Sequence, residues 1–241
     1  MNLRPYSFFL ASAMLLACQS TTTTEAKSTY ADVQIAGAMR NVMWQGELGG
    51  IIQLDSLQEP GWYGLGPESF LTGEILLLDG KPFVSKVVND SSMLVQVNPE
   101  ASAPFFVYAQ VKEWREVPLP AEVKDIPSLE VFVNNQSKEM KRPFAFKVVG
   151  QIASGIIHIQ NLPPGSTVRS PKEAHQGQVN YPLGEEEVEI LGFFSTEHQS
   201  VFTHHDTFVH LHLITQDRTK MGHLDEVALI PAQMKLLLPV R

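Results

Sequence analysis

Val209-His-Leu-His-Leu-Ile-Thr215, close to the C-terminus, alternates apolar residues with histidines, and that alternation fits an extended strand. Side chains two apart leave the same face of a strand, so His210 and His212 point together while Val209, Leu211 and Leu213 point the other way. The polar stretch Asp217 to Gly222 that follows has turn chemistry. A hairpin folded about Asp217 and Arg218 sets His223 across from His212 on the same face. Three imidazoles that converge and leave a fourth position open form the ligand set of a catalytic zinc site; a structural site would close the tetrahedron, often with Cys. A lone histidine on a strand is more often a partly buried side chain with ordinary hydrogen bonds. Three in convergence point to a metal. The pattern alone does not choose the ion: copper, nickel and iron also suit imidazole, and zinc is the commonest divalent fit.

The chain has 241 residues, enough for one large domain or two small ones. A net charge of −8 without a basic block argues against nucleic acid as a partner. Beyond the N-terminus, no apolar run approaches the length of a membrane span.

The N-terminus reads as an address. Arg4 precedes the apolar run Tyr6 to Ala17, and the only cysteine, Cys18, follows. A positive start, a short apolar segment and small residues at its exit make a secretory signal over residues 1–17. A single Cys excludes a disulfide framework, so processing explains Cys18 better than redox chemistry. Leu15-Leu-Ala-Cys18 resembles a bacterial lipobox, whose Cys becomes the lipidated first residue. Gln19 resembles the pattern of lipoproteins sorted to the outer membrane of Gram-negative bacteria. The expected address is therefore the periplasmic face of that membrane, reached through lipid on Cys18. Residues 18–28, Thr-rich and polar, read as a tether, and residues 29–241 as the folded part.

Within the folded part, Ala31 to Gln45 spaces Val33, Ala36, Met39 and Val42 near helical periodicity and stops at Gly46. Gly61-Trp-Tyr-Gly-Leu-Gly66 reads as a glycine-rich, aromatic loop. Asp79-Gly80 between Glu74–Leu78 and Lys81–Val88 is a strong hairpin signal. Leu94 to Val97 and Pro104 to Val111 read as further strands. A proline-punctuated loop, Pro118 to Pro127, leads to a weak helical pattern over Leu129–Val133. Strand character returns at Phe144–Val149, Ile156–Ile159, Glu187–Phe194 and Val227–Leu238. Asn161 to Gly184 reads as a long polar loop, of the kind that in compact domains tends to be functional. The expected class is α+β, strand-dominated, as two packed sheets with a subdomain boundary near 120–140. The sequence leaves room for a homodimer without naming a residue for it.

Three segments together resemble the α-acetolactate decarboxylase family. Gly64-Leu-Gly-Pro-Glu-Ser-Phe-Leu-Thr-Gly-Glu74, running on to Asp79-Gly80, is similar to that family's glycine-rich loop entering a Gly-Glu strand. Leu191-Gly-Phe-Phe194 resembles the lead-in to its metal strand, and His210, His212 and His223 fall on its three zinc ligands with matching spacing. The resemblance spans about residues 33–230. It implies two mixed halves, each built on a β-sheet, with Zn2+ in the cleft between them. It implies the loss of carbon dioxide from 2-acetolactate, a 2-hydroxy-3-oxo acid, to give acetoin. In that chemistry the metal polarises the substrate ketone, and a positioned acid delivers the proton.

Glu74 falls on the family's active-site glutamate and is the first candidate for proton handling; otherwise it is a solvated carboxylate at a strand start. Three positions depart from the family. His158, in Ile156-Ile-His-Ile159, stands where the family has an arginine suited to hold the substrate carboxylate, and becomes the second catalytic candidate. Pro67 replaces a threonine, and the family's second glutamate, in a longer C-terminal segment, is expected to be missing because this chain stops at Arg241. His175, His198, His204, His205 and Asp206 read mostly as exposed loop residues. His205 or Asp206 is the expectation for one that reaches the metal, and Asp225 shares strand parity with His223, able to orient it. Two rivals stand beside the decarboxylase. One is a zinc-binding lipoprotein without turnover. The other is a metal-dependent enzyme for a different substrate, using His158, His175 or His205.

Overall fold

The structure, a computed structural model, describes Met1 and residues 33–240. The lipobox, Cys18 and the tether lie outside the described residues. The first half runs β1 (Gln34–Ala36), α1 (Met39–Gln45), β2 (Ile52–Gln53), β3 (Trp62–Pro67), β4 (Glu74–Leu78), β5 (Lys81–Asn89), β6 (Ser92–Val97), β7 (Ser102–Ala103) and β8 (Phe106–Gln110). The second runs β9 (Trp114–Pro118), α2 (Ile126–Gln136), β10 (Phe144–Ile159), α3 (Pro171–Ala174), β11 (Val179–Leu183), β12 (Glu186–Phe194), β13 (Val209–Thr215) and β14 (Met221–Pro239). Among the described residues strands dominate and form two six-stranded sheets, with β2 and β7 paired as a small third.

The first sheet has the order β1-β8-β3-β4-β5-β6. Its outer face, with Ile75, Leu77, Val84 and Phe106, packs under Leu54, Leu57, Ala101 and Ala103. The second has the order β11-β10-β12-β13-β14-β9, and a further pairing of β10 with β14 closes it into a ring of four strands. One core cluster holds Phe144, Phe146, Ile190, Phe194, Leu211, Leu213 and Leu224 from the ring strands together with Leu129 and Val133 of α2. That helix forms because Asp125 accepts from the Ser128 backbone in a capping box and Pro127 pre-sets its first turn. Leu129 and Val133 lie one turn apart on its buried face.

The sheets meet through a dry layer: Tyr63, Leu65, Leu76 and Val107 from the first against Leu191, Phe193, Ile214 and Met221 from the second. The chain crosses between them after Gln110, since β9 already pairs with β14. The crossing precedes the 120–140 window because the short Trp114–Pro118 segment is captured as an edge strand.

Three local expectations change. Only Met39–Gln45 of the proposed first helix is helical; Gln34–Ala36 pairs with β8, and Gly37, at φ +65°, breaks the two apart. Gly61–Gly66 is mostly strand, not loop: a Cβ on Gly64 would come within 2.5 Å of the Phe106 ring, so the glycine makes room for an aromatic neighbour. Asn161–Gly184 contains α3 and β11. Val179, Tyr181 and Leu183 alternate there, and Pro182 is tolerated because β11 sits at the sheet edge.

Candidate active site

At one end of the layer between the sheets the facing side chains turn from apolar to ionisable. On β13, Ile214 belongs to the dry layer, while His212 and His210, two and four residues earlier on the same face, are imidazoles. The hairpin places His223 of β14 opposite His212, and β10 brings His158 opposite His223. Ring centroids lie 5.1 Å apart for His210–His212 and His210–His223, and 5.6 Å for His212–His223. From the first sheet Glu74 enters at the start of β4, 3% exposed, with Oε2 3.6 Å from His212 Nε2. It is a buried side chain, not a solvated one.

β10 pairs with β14 through three register shifts. In the last, Ile156 opposes Glu226 and Ile157 opposes Leu224, so Asp225 is an extra residue bulged out of the ladder. The bulge aims Asp225 at both neighbouring rings. His158 Nδ1 lies 2.8 Å from each of its oxygens, and His223 Nδ1 lies 3.1 Å from Oδ1. Burial opposes the charge on Asp225, but the hydrogen bonds from His158 and His223 overcome it and hold the carboxyl below the usual range. An ionised carboxylate only accepts, so both rings turn an Nδ1–H toward Asp225.

Burial is the first cause of every resolved histidine shift here. It keeps His210 and His212 well below the ordinary value, assisted by His212 and His223 beside His210 and by His223 and His158 beside His212. His223 is lowered by burial and then by His158, against the opposing pull of Asp225. Burial likewise pushes the Glu74 carboxyl well up, only partly offset by the Gln160 backbone N–H that it accepts at 3.3 Å. Both shifts favour the uncharged forms across the His212–Glu74 contact.

His210 Nδ1 and both ring nitrogens of His212 are buried without a hydrogen-bond partner. The Ile75 backbone lies near enough to favour a proton on His212, though outside good hydrogen-bonding geometry. Buried, neutral, unpaired imidazoles are what a divalent cation completes, so the residues present fit one. Among the described residues, the donor atoms already within 4.8 Å of one another are those of His158, His223 and Asp225. Their closeness has its own cause: Asp225 is already accepting from both rings.

A narrow cavity of about 30 Å³, the space of a single water, lies among these groups. Its polar wall is Glu74, His158, Gln160, His175, His204, His210 and His223; its roof is Met39, Met43, Pro67, Leu71 and Phe105. The loop histidines divide. His204 and His175 line the cavity, half-buried, and burial brings His204 down to about 4. His205 and Asp206 are exposed, so the residue that reaches the imidazoles is His204 instead. His198 accepts or donates at Ser195 Oγ, 2.7 Å away, and stacks on Phe202 as part of the packing. Gln160 was not singled out by the sequence, although it sits two residues beyond His158. A separate groove of about 730 Å³, between Glu116, Arg218 and Lys235, has no histidine in its lining.

Comparison with known proteins follows the same line. A family profile described as alpha-acetolactate decarboxylase matches residues 36–237. The alpha-acetolactate decarboxylase of Streptococcus thermophilus is 25% identical over 189 residues, which are 74% of this chain and 73% of that protein. The crystal structure of alpha-acetolactate decarboxylase from Bacillus subtilis strain 168 superposes with a TM-score of 0.67 at 16% identity, over 86% of this chain and 84% of that one. A Staphylococcus aureus protein of unknown function, similar to alpha-acetolactate decarboxylase, does so at 0.66 and 15%, with 86% and 84% covered. At such identities the superpositions speak for the fold.

Proposed function

The chain belongs to the alpha-acetolactate decarboxylase family, and from that premise we propose that it is a metal-dependent carboxy-lyase that converts 2-acetolactate to acetoin and carbon dioxide. The observation that carries this reading is the convergence of His210, His212 and His223, neutral and partly unpaired, on a buried Glu74 whose carboxyl is pushed up. His210, His212 and His223 would hold the cation, with zinc the first candidate. When bound, it supplies Lewis acidity toward the oxygens of the substrate.

The remaining work falls to side chains. Asp225 keeps the Nε2 lone pair of His223 turned inward. Met39, Leu71 and Phe105 exclude water, and the cavity lining includes no Lys or Arg. A carboxylate placed against that apolar roof is relieved by leaving as neutral carbon dioxide. The bond from the carboxylate carbon to C2 breaks, and its electron pair moves onto the adjacent ketone to give an enediolate. Glu74, still protonated where an ordinary glutamate is ionised, delivers a proton to that carbon and is reprotonated by water. His158, the second catalytic candidate, flanks the same space with Nδ1 held by Asp225. A five-carbon acid exceeds this cavity, but a groove of about 400 Å³ that shares His204 and His223 with it and is also lined by Asp206 and Asp225 has room for one.

On the strength of Leu15–Cys18 we further infer export and lipid anchoring, which would have this chemistry act on substrate outside the cytoplasm. The tightness of the cavity favours a second reading, a metal-holding protein without turnover. The deciding experiment is acetoin formation from racemic 2-acetolactate by the zinc-supplied protein, with His212→Ala as control. Turnover far above the spontaneous rate, lost in the control, establishes the reaction. Bound zinc without turnover leaves the second reading.

A further inference from the structure

Gln160 follows β10 directly, is 5% exposed, lines the cavity beside Glu74, His158 and His210, and leaves its side-chain oxygen Oε1 without a hydrogen-bond partner. Its orientation is set from behind. Gln178 Nε2 donates to Asn180 Oδ1 at 2.8 Å, which turns Gln178 Oε1 toward Gln160 Nε2 at 3.4 Å. On the other side His158 Nε2 lies 3.4 Å from the same Gln160 nitrogen. Exchanging the amide oxygen and nitrogen would set Oε1 against the Gln178 oxygen. With its nitrogen turned toward Gln178, Gln160 keeps a buried carbonyl oxygen without a partner, on a residue that lines the cavity.

We propose that Gln160 is a substrate-binding residue whose Oε1 accepts a hydrogen bond from a hydroxyl group of the substrate. The inference rests on the decarboxylase reading and narrows it: the site selects acids that carry a hydroxyl beside the bond that breaks. A buried carbonyl can only accept, so its partner brings a donor. The roof of Met39, Met43, Leu71 and Phe105 carries no charge, which suits an uncharged hydroxyl. A site built around such an acceptor rejects an analogue that lacks the donor, because the acceptor is then left unpaired.

The test compares 2-acetolactate with 2,2-dimethyl-3-oxobutanoate, the same acid with a methyl group in place of the hydroxyl. Wild type is expected to favour the hydroxylated acid in kcat/KM. Gln160→Met should lower kcat/KM on 2-acetolactate by roughly ten- to a hundredfold, chiefly through KM, and leave the dimethyl acid unchanged. Gln160→Asn keeps an amide with both its carbonyl and its N–H and should retain a preference for the hydroxylated acid, which also decides the matter if Gln160→Met does not fold. An equal loss on both acids, or no loss on either, overturns the proposal while the decarboxylase reading stands. If wild type acts on neither acid, that reading has failed by itself. Binding of acetoin against 2-butanone, followed by saturation-transfer NMR, then decides. Preference for acetoin that disappears in Gln160→Met supports the proposal, and equal binding of the two overturns it.

Discussion

The two ends of the layer between the sheets are built from the same strands and obey opposite rules. At the dry end Phe193, Leu191 and Ile214 fill the space with carbon, each fully buried. At the other end β13 continues on the same face with His212 and His210, also buried, and leaves ring nitrogens unpaired. One end stabilises the fold by keeping water out. The other gives up stability in the metal-free protein to hold lone pairs, and a carboxyl biased toward its protonated form, where a ligand can use them. The sheets also contribute unequally: the first supplies a wall and Glu74, the second supplies His158, His210, His212, His223 and the bulged Asp225.

Substitutions at the two ends should therefore move stability in opposite directions. Phe193→Ala, at the dry end, should cost about 3–5 kcal/mol, read from chemical denaturation. His212→Leu, at the polar end, should abolish metal binding and turnover yet leave the metal-free protein more stable by about 1–3 kcal/mol. A loss of metal-free stability in His212→Leu of the same size as in Phe193→Ala would break the contrast.

Acid sharpens the comparison further. His175, His204, His210, His212 and His223 are all held below the ordinary value, mainly by burial. Between the ordinary value of 6.5 and the folded values, about 4 for His204, the unfolded chain binds protons that the folded chain refuses. Stability of the metal-free protein should thus fall as pH falls below about 6.5, by up to about 1.4 kcal/mol per pH unit for each fully buried histidine. Glu74 has the reverse sign, since its raised carboxyl costs stability as pH rises above its ordinary range. Melting temperatures at stepped pH should fall more steeply toward acid for wild type than for His212→Leu. Parallel curves would mean that the imidazole at 212 is solvated.

Much of this was legible in the residues. Alternation around His210 and His212, and turn chemistry at Asp217–Gly222, gave the hairpin and its pairing of His212 with His223. Those are local rules with a period of two. The Gly61–Gly66 segment was misread because glycine lowers strand propensity, and the reason to keep it, the Phe106 ring, comes from β8, some forty residues away. The histidine that reaches the site is His204 instead of His205 because one residue of loop geometry decides which side chain turns inward.

What the sequence determined by itself was the strand-dominated class, the shared face of the three histidines and the resemblance that spans most of the folded part. What only the tertiary structure decided was burial and aim. Closing β10 onto β14 bulges Asp225 out to hold two rings, and packing the first sheet against the ring drives Glu74 into a place without water. Gln160 gains its meaning only there, between Gln178 and His158. Residue order encodes which face a side chain leaves by. The environment it meets depends on segments far apart in the chain, and that environment is what sets its protonation and its partners.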